Sequence, residues 1–155
     1  MKKSDHNAKK LEKFRSQLQK NSLRATSQRL AVHEAMIELG HACAEDVCNW
    51  LSANSETPVT VASVYNTLAQ MESIGIYQAR SSSDSRMYFD VITGTHMHMY
   101  DSVNHKFRDL NDDDVMQEIA GMLGKRRFKG YNIDRIDIQY VVKPVKRKKL
   151  RKTSE

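Results

Sequence analysis

From Leu11 to Gly75 the apolar residues recur at helical spacing, and from Ile76 to Val91 two short β-prone segments follow. That change, from helical period to extended segments, restricts the fold more than any single motif. Leu11, Phe14 and Leu18 predict an amphipathic helix over 8–20. Residues 21–26 break it, and Thr26 offers its hydroxyl as N-cap of a second helix with Val32, Ala35, Met36 and Leu39 on one stripe. Gly40 ends that helix. Ala44, Val47, Cys48 and Leu51 stand at i, i+3, i+4 and i+7 of a third. After the polar turn 54–58, Thr60 caps a fourth, with Val61, Val64, Leu68 and Met71 turned toward a core, and Gly75 stops it. The β-prone segments 76–80 and 86–91 flank a Ser-rich tip, 81–85, and predict a hairpin.

The second to fourth helices followed by a hairpin have the layout of a winged helix-turn-helix, which would place the fourth helix to enter a major groove. After Asp90 a different unit begins. Segments 97–100 and 106–109 read as short strands. Asn111 is expected to cap a helix whose first turn carries Asp112, Asp113 and Asp114, suited to the positive end of the dipole. Val115, Ile119 and Met122 form its stripe, and Ile136, Ile138, Tyr140 and Val142 alternate along a last strand. The fold class is therefore α+β. A winged-helix domain with an added N-terminal helix occupies 1–90, a small α/β domain 91–143, and a basic disordered tail 144–155. The α/β domain is small, so its sheet is expected to pair across a homodimer.

A net charge of +6 favours an anionic partner, most simply nucleic acid. No apolar run is long enough to span a membrane, and the charged N-terminus lacks the apolar core of a signal peptide. The chain reads as cytoplasmic. Two cysteines, Cys43 and Cys48, among apolar helical neighbours are expected to be reduced thiols rather than a disulfide framework.

Asp90-Val-Ile-Thr-Gly-Thr-His96-Met-His98 carries the chemistry. Side chains alternate along a strand, so His96 and His98 share a face. Two imidazoles near a carboxylate suit a divalent ion such as zinc, iron or manganese.

Several motifs in order extend this reading. They are Arg24-Ala-Thr-Ser-Gln-Arg29-Leu, His41-Ala-Cys-Ala-Glu45-Asp46, Ser63-Val-Tyr65-Asn66-Thr-Leu68, Gly75-Ile, Tyr88-Phe-Asp90 and His96-Met-His98. In order and spacing they resemble the ferric uptake regulator family over roughly 23–142. The resemblance implies a dimeric, metal-dependent repressor. It implies a ligand set of His41 at the end of the second helix, Asp90 at the hinge, His96, His98 and Asp109. Three nitrogens and two carboxylates suit iron(II) or manganese(II), with zinc possible in vitro.

Aspartate at position 109, the short Asp90-to-His96 spacing and Tyr65-Asn66 resemble the family's peroxide-sensing branch. There, iron-bound sites react with peroxide and a ligating histidine is oxidised, here His41 or His96. Iron- or zinc-responsive uptake repressors of the same family are the alternative. The family's two Cys-x-x-Cys pairs are missing: the first falls at Asp101 and Asn104, and the second would fall in 141–145. No four-cysteine structural zinc is expected. For DNA the resemblance gives Tyr65 a thymine contact and Arg24 a minor-groove arm in an A·T-rich, palindromic operator. Ser63 and Asn66 can reach phosphate or base edges. A non-haem iron enzyme is the distant rival, but the chain shows no cosubstrate pocket or barrel-like strand pattern, and no catalytic residues are assigned.

Overall fold

The computed structural model describes residues 2–145. The chain forms two compact units, Met1–Gly94 and Thr95–Glu155. Most of the basic tail expected at 144–155 lies outside the described residues.

The first unit has four helices and a small sheet: α1 (Lys2–Lys20), α2 (Ser27–Leu39), β1 (His41–Ala42), α3 (Ala44–Asn54), α4 (Val61–Ser73), β2 (Gln78–Ser81) and β3 (Met87–Asp90). The sheet order is β1-β3-β2, antiparallel throughout. This is the winged helix-turn-helix that the periodicity predicts. The caps fall where the hydroxyls were expected. Thr26 accepts the Arg29 N–H at 3.3 Å, and Thr60 accepts the Ser63 N–H at 3.1 Å. Gly40 and Gly75 both take positive φ, at 73° and 77°, conformations open to glycine without a Cβ clash.

The stripes converge on one core. Phe14 and Leu18 from α1, Val32, Ala35 and Met36 from α2, Val47 and Leu51 from α3, and Val64, Leu68 and Met71 from α4 are all buried in it. Burying an aromatic or leucine side chain contributes about 1.5–3 kcal/mol each, so α1 is docked by Phe14 and Leu18 rather than merely appended. Val61 departs from the expectation. It opens α4 on the same side as Tyr65 and is 45% exposed.

The second unit holds β4 (Met97–Asp101), β5 (Lys106–Leu110), α5 (Asp113–Leu123) and β6 (Ile138–Val142). Its sheet order is β5-β4-β6, with β4 antiparallel to β5 and parallel to β6. Two boundaries differ from the sequence reading. The N-cap of α5 is Asp112, not Asn111, because the Asp112 carboxylate takes the Val115 N–H at 3.4 Å. The last strand starts at Ile138; Ile136 instead lines a cavity with Ile119 and Ala120 of α5. No residue of α5 is fully buried, and Met122 of its predicted stripe is exposed. No helix among the described residues is long and apolar enough to cross a membrane.

Candidate metal centre and nucleic-acid interface

Both units use one device to bring imidazole to carboxylate: a cross-strand pair. In the first unit the positive φ of Gly40 turns the chain out of α2, so His41 is not at the helix end as expected but opens β1. There it stands directly opposite Asp90 of β3, and residues so opposed have Cβ atoms about 5 Å apart. His41 Nε2 lies 3.1 Å from Asp90 Oδ2. The other Asp90 oxygen accepts the Ile92 N–H at 2.7 Å, which fixes the plane of the carboxylate. Both side chains are buried, Asp90 almost completely.

In the second unit His98 of β4 stands directly opposite Asp109 of β5. His96, two residues earlier, falls on the same face, as strand geometry requires. Its Nε2 lies 3.2 Å from Asp109 Oδ1, and His98 Nε2 lies 3.4 Å from the same oxygen. The two imidazole rings are tilted by 53° with centroids 4.2 Å apart. His98 is fully buried, with Phe107 edge-on at 6.2 Å. The structure thus gathers the five sequence-predicted ligands as two sets, His41 with Asp90 and His96 with His98 and Asp109.

The donor chemistry fits a divalent ion. Two ligands each about 2.1 Å from a cation and at right angles lie about 3.0 Å apart, close to the nitrogen–oxygen separations in both sets. In the tautomer that turns a lone pair to Asp109, both imidazole nitrogens and the carboxylate oxygen can donate to one cation. The set holds no sulfur. Cys43 and Cys48 are both free thiols elsewhere. Cys43 is the N-cap residue of α3, with its Sγ 3.1 Å from Asp46, and burial pushes its thiol up to about 12. A thiol so protonated is a poor nucleophile and a poor ligand.

The predicted DNA residues cluster around α4. Tyr65 is 45% exposed and packs edge-on against Phe89, so its ring is aimed by β3 rather than free to swing. Asn66 and Arg24 are exposed. Ser63 is held differently. Its hydroxyl accepts the Thr60 N–H at 3.0 Å and donates to the Thr60 carbonyl at 2.9 Å, closing a capping box. Sequence reasoning missed the polar links behind this face, from Gln28 and Arg29 of α2 to α4, because the partners lie 35 to 41 residues apart.

The first unit is a winged helix and the second an α/β unit, and each carries an imidazole–carboxylate pair that could serve as metal ligands. The family model described as "Ferric uptake regulator family" matches residues 20–139. The chain belongs to the ferric uptake regulator family, and so is a metal-responsive transcriptional regulator; proteins of this family bind DNA as dimers.

Solved structures share the fold. The ferric uptake regulator of Pseudomonas aeruginosa with manganese is 23% identical, with a TM-score of 0.65, covering 84% of this chain and 97% of that one. The Vibrio cholerae ferric uptake regulator is 20% identical, with a TM-score of 0.68, covering 84% and 98%. The Campylobacter jejuni peroxide stress regulator is also 20% identical, with a TM-score of 0.58, covering 84% and 95%. A sequence comparison with curated proteins finds no match.

Proposed function

We propose that this chain is a dimeric repressor whose DNA binding is licensed by one iron(II) or manganese(II) ion held jointly by His41, Asp90, His96, His98 and Asp109. The observation that carries the reading is the repeated cross-strand device: His41 opposite Asp90 in one unit, His98 opposite Asp109 in the other. A winged helix needs neither pair to fold, and each keeps an imidazole–carboxylate edge at coordination spacing.

The coupling follows from which element carries which ligand. His41 and Asp90 belong to the sheet of the unit that bears α4, and His96, His98 and Asp109 to the sheet of the unit expected to dimerise. Ligands drawn together from both sheets fix the angle between units, and with it the spacing of two recognition helices against half-sites about one turn apart. Binding free energy of the ion is then spent on the DNA-competent arrangement, and by linkage DNA tightens metal in return. On the DNA, Tyr65 meets a thymine methyl, Arg24 enters a narrow A·T minor groove, and Asn66 and Ser63 supply phosphate or base-edge contacts in a palindromic operator.

We assign the signal to hydrogen peroxide, on the resemblance of Asp109 as the last carboxylate ligand to the peroxide-sensing branch and on His96, whose side chain keeps 13% of its surface accessible. An iron(II) ion held by these residues would catalyse transfer of one peroxide oxygen to the ring of His41 or His96, with two electrons leaving the imidazole and the other peroxide oxygen leaving as water; the oxidised ring would no longer serve as a ligand, and its sheet would be released from the other. Manganese(II) holds the same ligands without that reaction.

The experiment is peroxide treatment of the iron-loaded and manganese-loaded dimers, followed by peptide mapping and operator binding. An added oxygen on His41 or His96 in the iron form alone, with loss of DNA binding, supports peroxide sensing. Release of DNA by chelation with no histidine oxidation assigns the chain instead to iron- or zinc-responsive uptake control.

A further inference from the structure

Arg29 occupies the first turn of α2, where the helix dipole disfavours a cation, and no acidic residue shares that turn. Its guanidinium is used on both sides. Nη1 donates to the Arg24 carbonyl at 2.7 Å, and Nη2 donates to Gln70 Oε1 of α4 at 2.8 Å. The Arg24 carbonyl also accepts the Thr26 N–H at 3.0 Å. The main chain at Arg24 is therefore fixed by two donors, while its side chain is exposed. Next to this link, Gln28 donates to the Ser63 carbonyl at 3.1 Å and to Thr67 Oγ1 at 3.3 Å. Ser63, Thr67 and Gln70 stand at i, i+4 and i+7, so the links from α2 fall on one face of α4.

We propose that Arg29 is a positioning residue that sets the offset between the Arg24 arm and helix α4, so that minor-groove and major-groove contacts are made together. The inference rests on the reading that Arg24 and α4 touch DNA. The guanidinium suits this task because its donors leave a rigid plane in fixed directions. A lysine ammonium is a single point charge on a flexible stem and cannot hold two acceptors at set angles. The link spans 41 residues of sequence and joins the segment before α2 to the third turn of α4. Without it, the arm keeps its charge but loses its register with Tyr65 and Asn66.

The test uses the duplex that the wild-type protein enriches from a random DNA pool, with manganese(II) present throughout. Gln70→Ala removes one anchor and changes no charge; Arg29→Lys keeps the charge and removes the fork. Each is expected to weaken binding about tenfold, the size of a lost charge-assisted bond. Each is also expected to make the negative slope of log affinity against log salt shallower by about 0.9, the loss of one cationic contact, even though the total charge is unchanged. Arg24→Ala should show the same loss in the wild-type background and less than about twofold further loss in the Gln70→Ala background. A merely structural Arg29 would lower the thermal midpoint but leave the salt slope and the full Arg24→Ala effect in place, and that result overturns the positioning role alone. An Arg24→Ala protein that binds the duplex like wild type overturns the arm itself and the role of Arg29 with it.

Discussion

His41 and Asp90 face each other across β1 and β3, with 3.1 Å between Nε2 and Oδ2, and both side chains are buried. The pair fixes what removing His41 does. His41→Ala takes the imidazole away and also strips Asp90 of a neighbour. His41→Gln keeps a side chain that can donate to the carboxylate. Both variants should bind manganese(II) at least about tenfold more weakly, since even residues that only support ligands are worth that much. Both should lose metal-dependent DNA binding, while the glutamine variant keeps the thermal midpoint of the metal-free wild type. Titration calorimetry and gel shifts with and without metal make the measurement. Wild-type DNA affinity that does not change with metal would contradict the account.

Tyr65→Ala tests the readout. The ring is half exposed and held edge-on by Phe89, so its loss should leave the core intact. A base contact is worth about 1–3 kcal/mol of discrimination, and the variant should lose about that much preference for thymine at one position per half-site. Competition between duplexes changed at single positions, at one salt concentration, measures it. Unchanged preference removes Tyr65 from the readout and leaves Asn66 as the first candidate.

Much of this was legible in the chain because the signals are local. Thr26 and Thr60 announce α2 and α4 through hydroxyls that cap three residues on, and Phe14 and Leu18 announce the buried side of α1 by spacing alone. His96 and His98 share a face because strands alternate. What a local pattern cannot supply is register. That His41 meets Asp90, and that Arg29 reaches Gln70, depends on pairings 49 and 41 residues apart. Nor does helical spacing place His41, because Gly40 moves it from a helix end into a strand. Asp112 stands in place of Asn111 as the cap because both residue types can cap, and it is the Asp112 carboxylate that takes the Val115 N–H.

Asp101 offers a third test. The family's first Cys-x-x-Cys falls at Asp101 and Asn104, and the turn is closed by side-chain oxygen instead. Asp101 accepts the Asn104 side-chain amide at 2.7 Å and the Val103 and Asn104 N–H groups at 2.9 and 3.0 Å. The Asn104 amide and then the two N–H groups hold its carboxyl below the usual range. Its contribution is therefore present above the ordinary aspartate pKa and is lost as pH falls through the lower folded value. With the regulatory ion stripped from both proteins by chelation, Asp101→Ala should have a lower thermal midpoint than the metal-free wild type. Mass spectrometry should find no zinc that resists chelation. Stoichiometric zinc surviving chelation would mean that other ligands close this corner.

The last test concerns His33, which the regulatory mechanism does not use. It is buried beneath Phe14, with the rings parallel at 3.9 Å, and its Nδ1 lies 2.8 Å from the Tyr77 hydroxyl. Burial, and secondarily the charge of Lys10, pulls its pKa down from 6.5 to about 4. The folded state therefore holds His33 neutral where the unfolded chain would protonate it. Between those two values the unfolded state binds more protons, so stability rises with pH. The stabilisation is complete above about pH 6.5 and is lost progressively as pH falls toward 4. Going from pH 7 to pH 5 should remove about 2 kcal/mol through this group alone. His33→Gln keeps a hydrogen-bonding partner for Tyr77 but cannot titrate. Urea unfolding of both proteins at the two pH values isolates the effect, because every other titrating group is common to both and cancels in the difference. The wild type should lose about 2 kcal/mol more than the variant. Equal losses would mean that the histidine reaches water, or that α1 lifts from the core before the proton arrives.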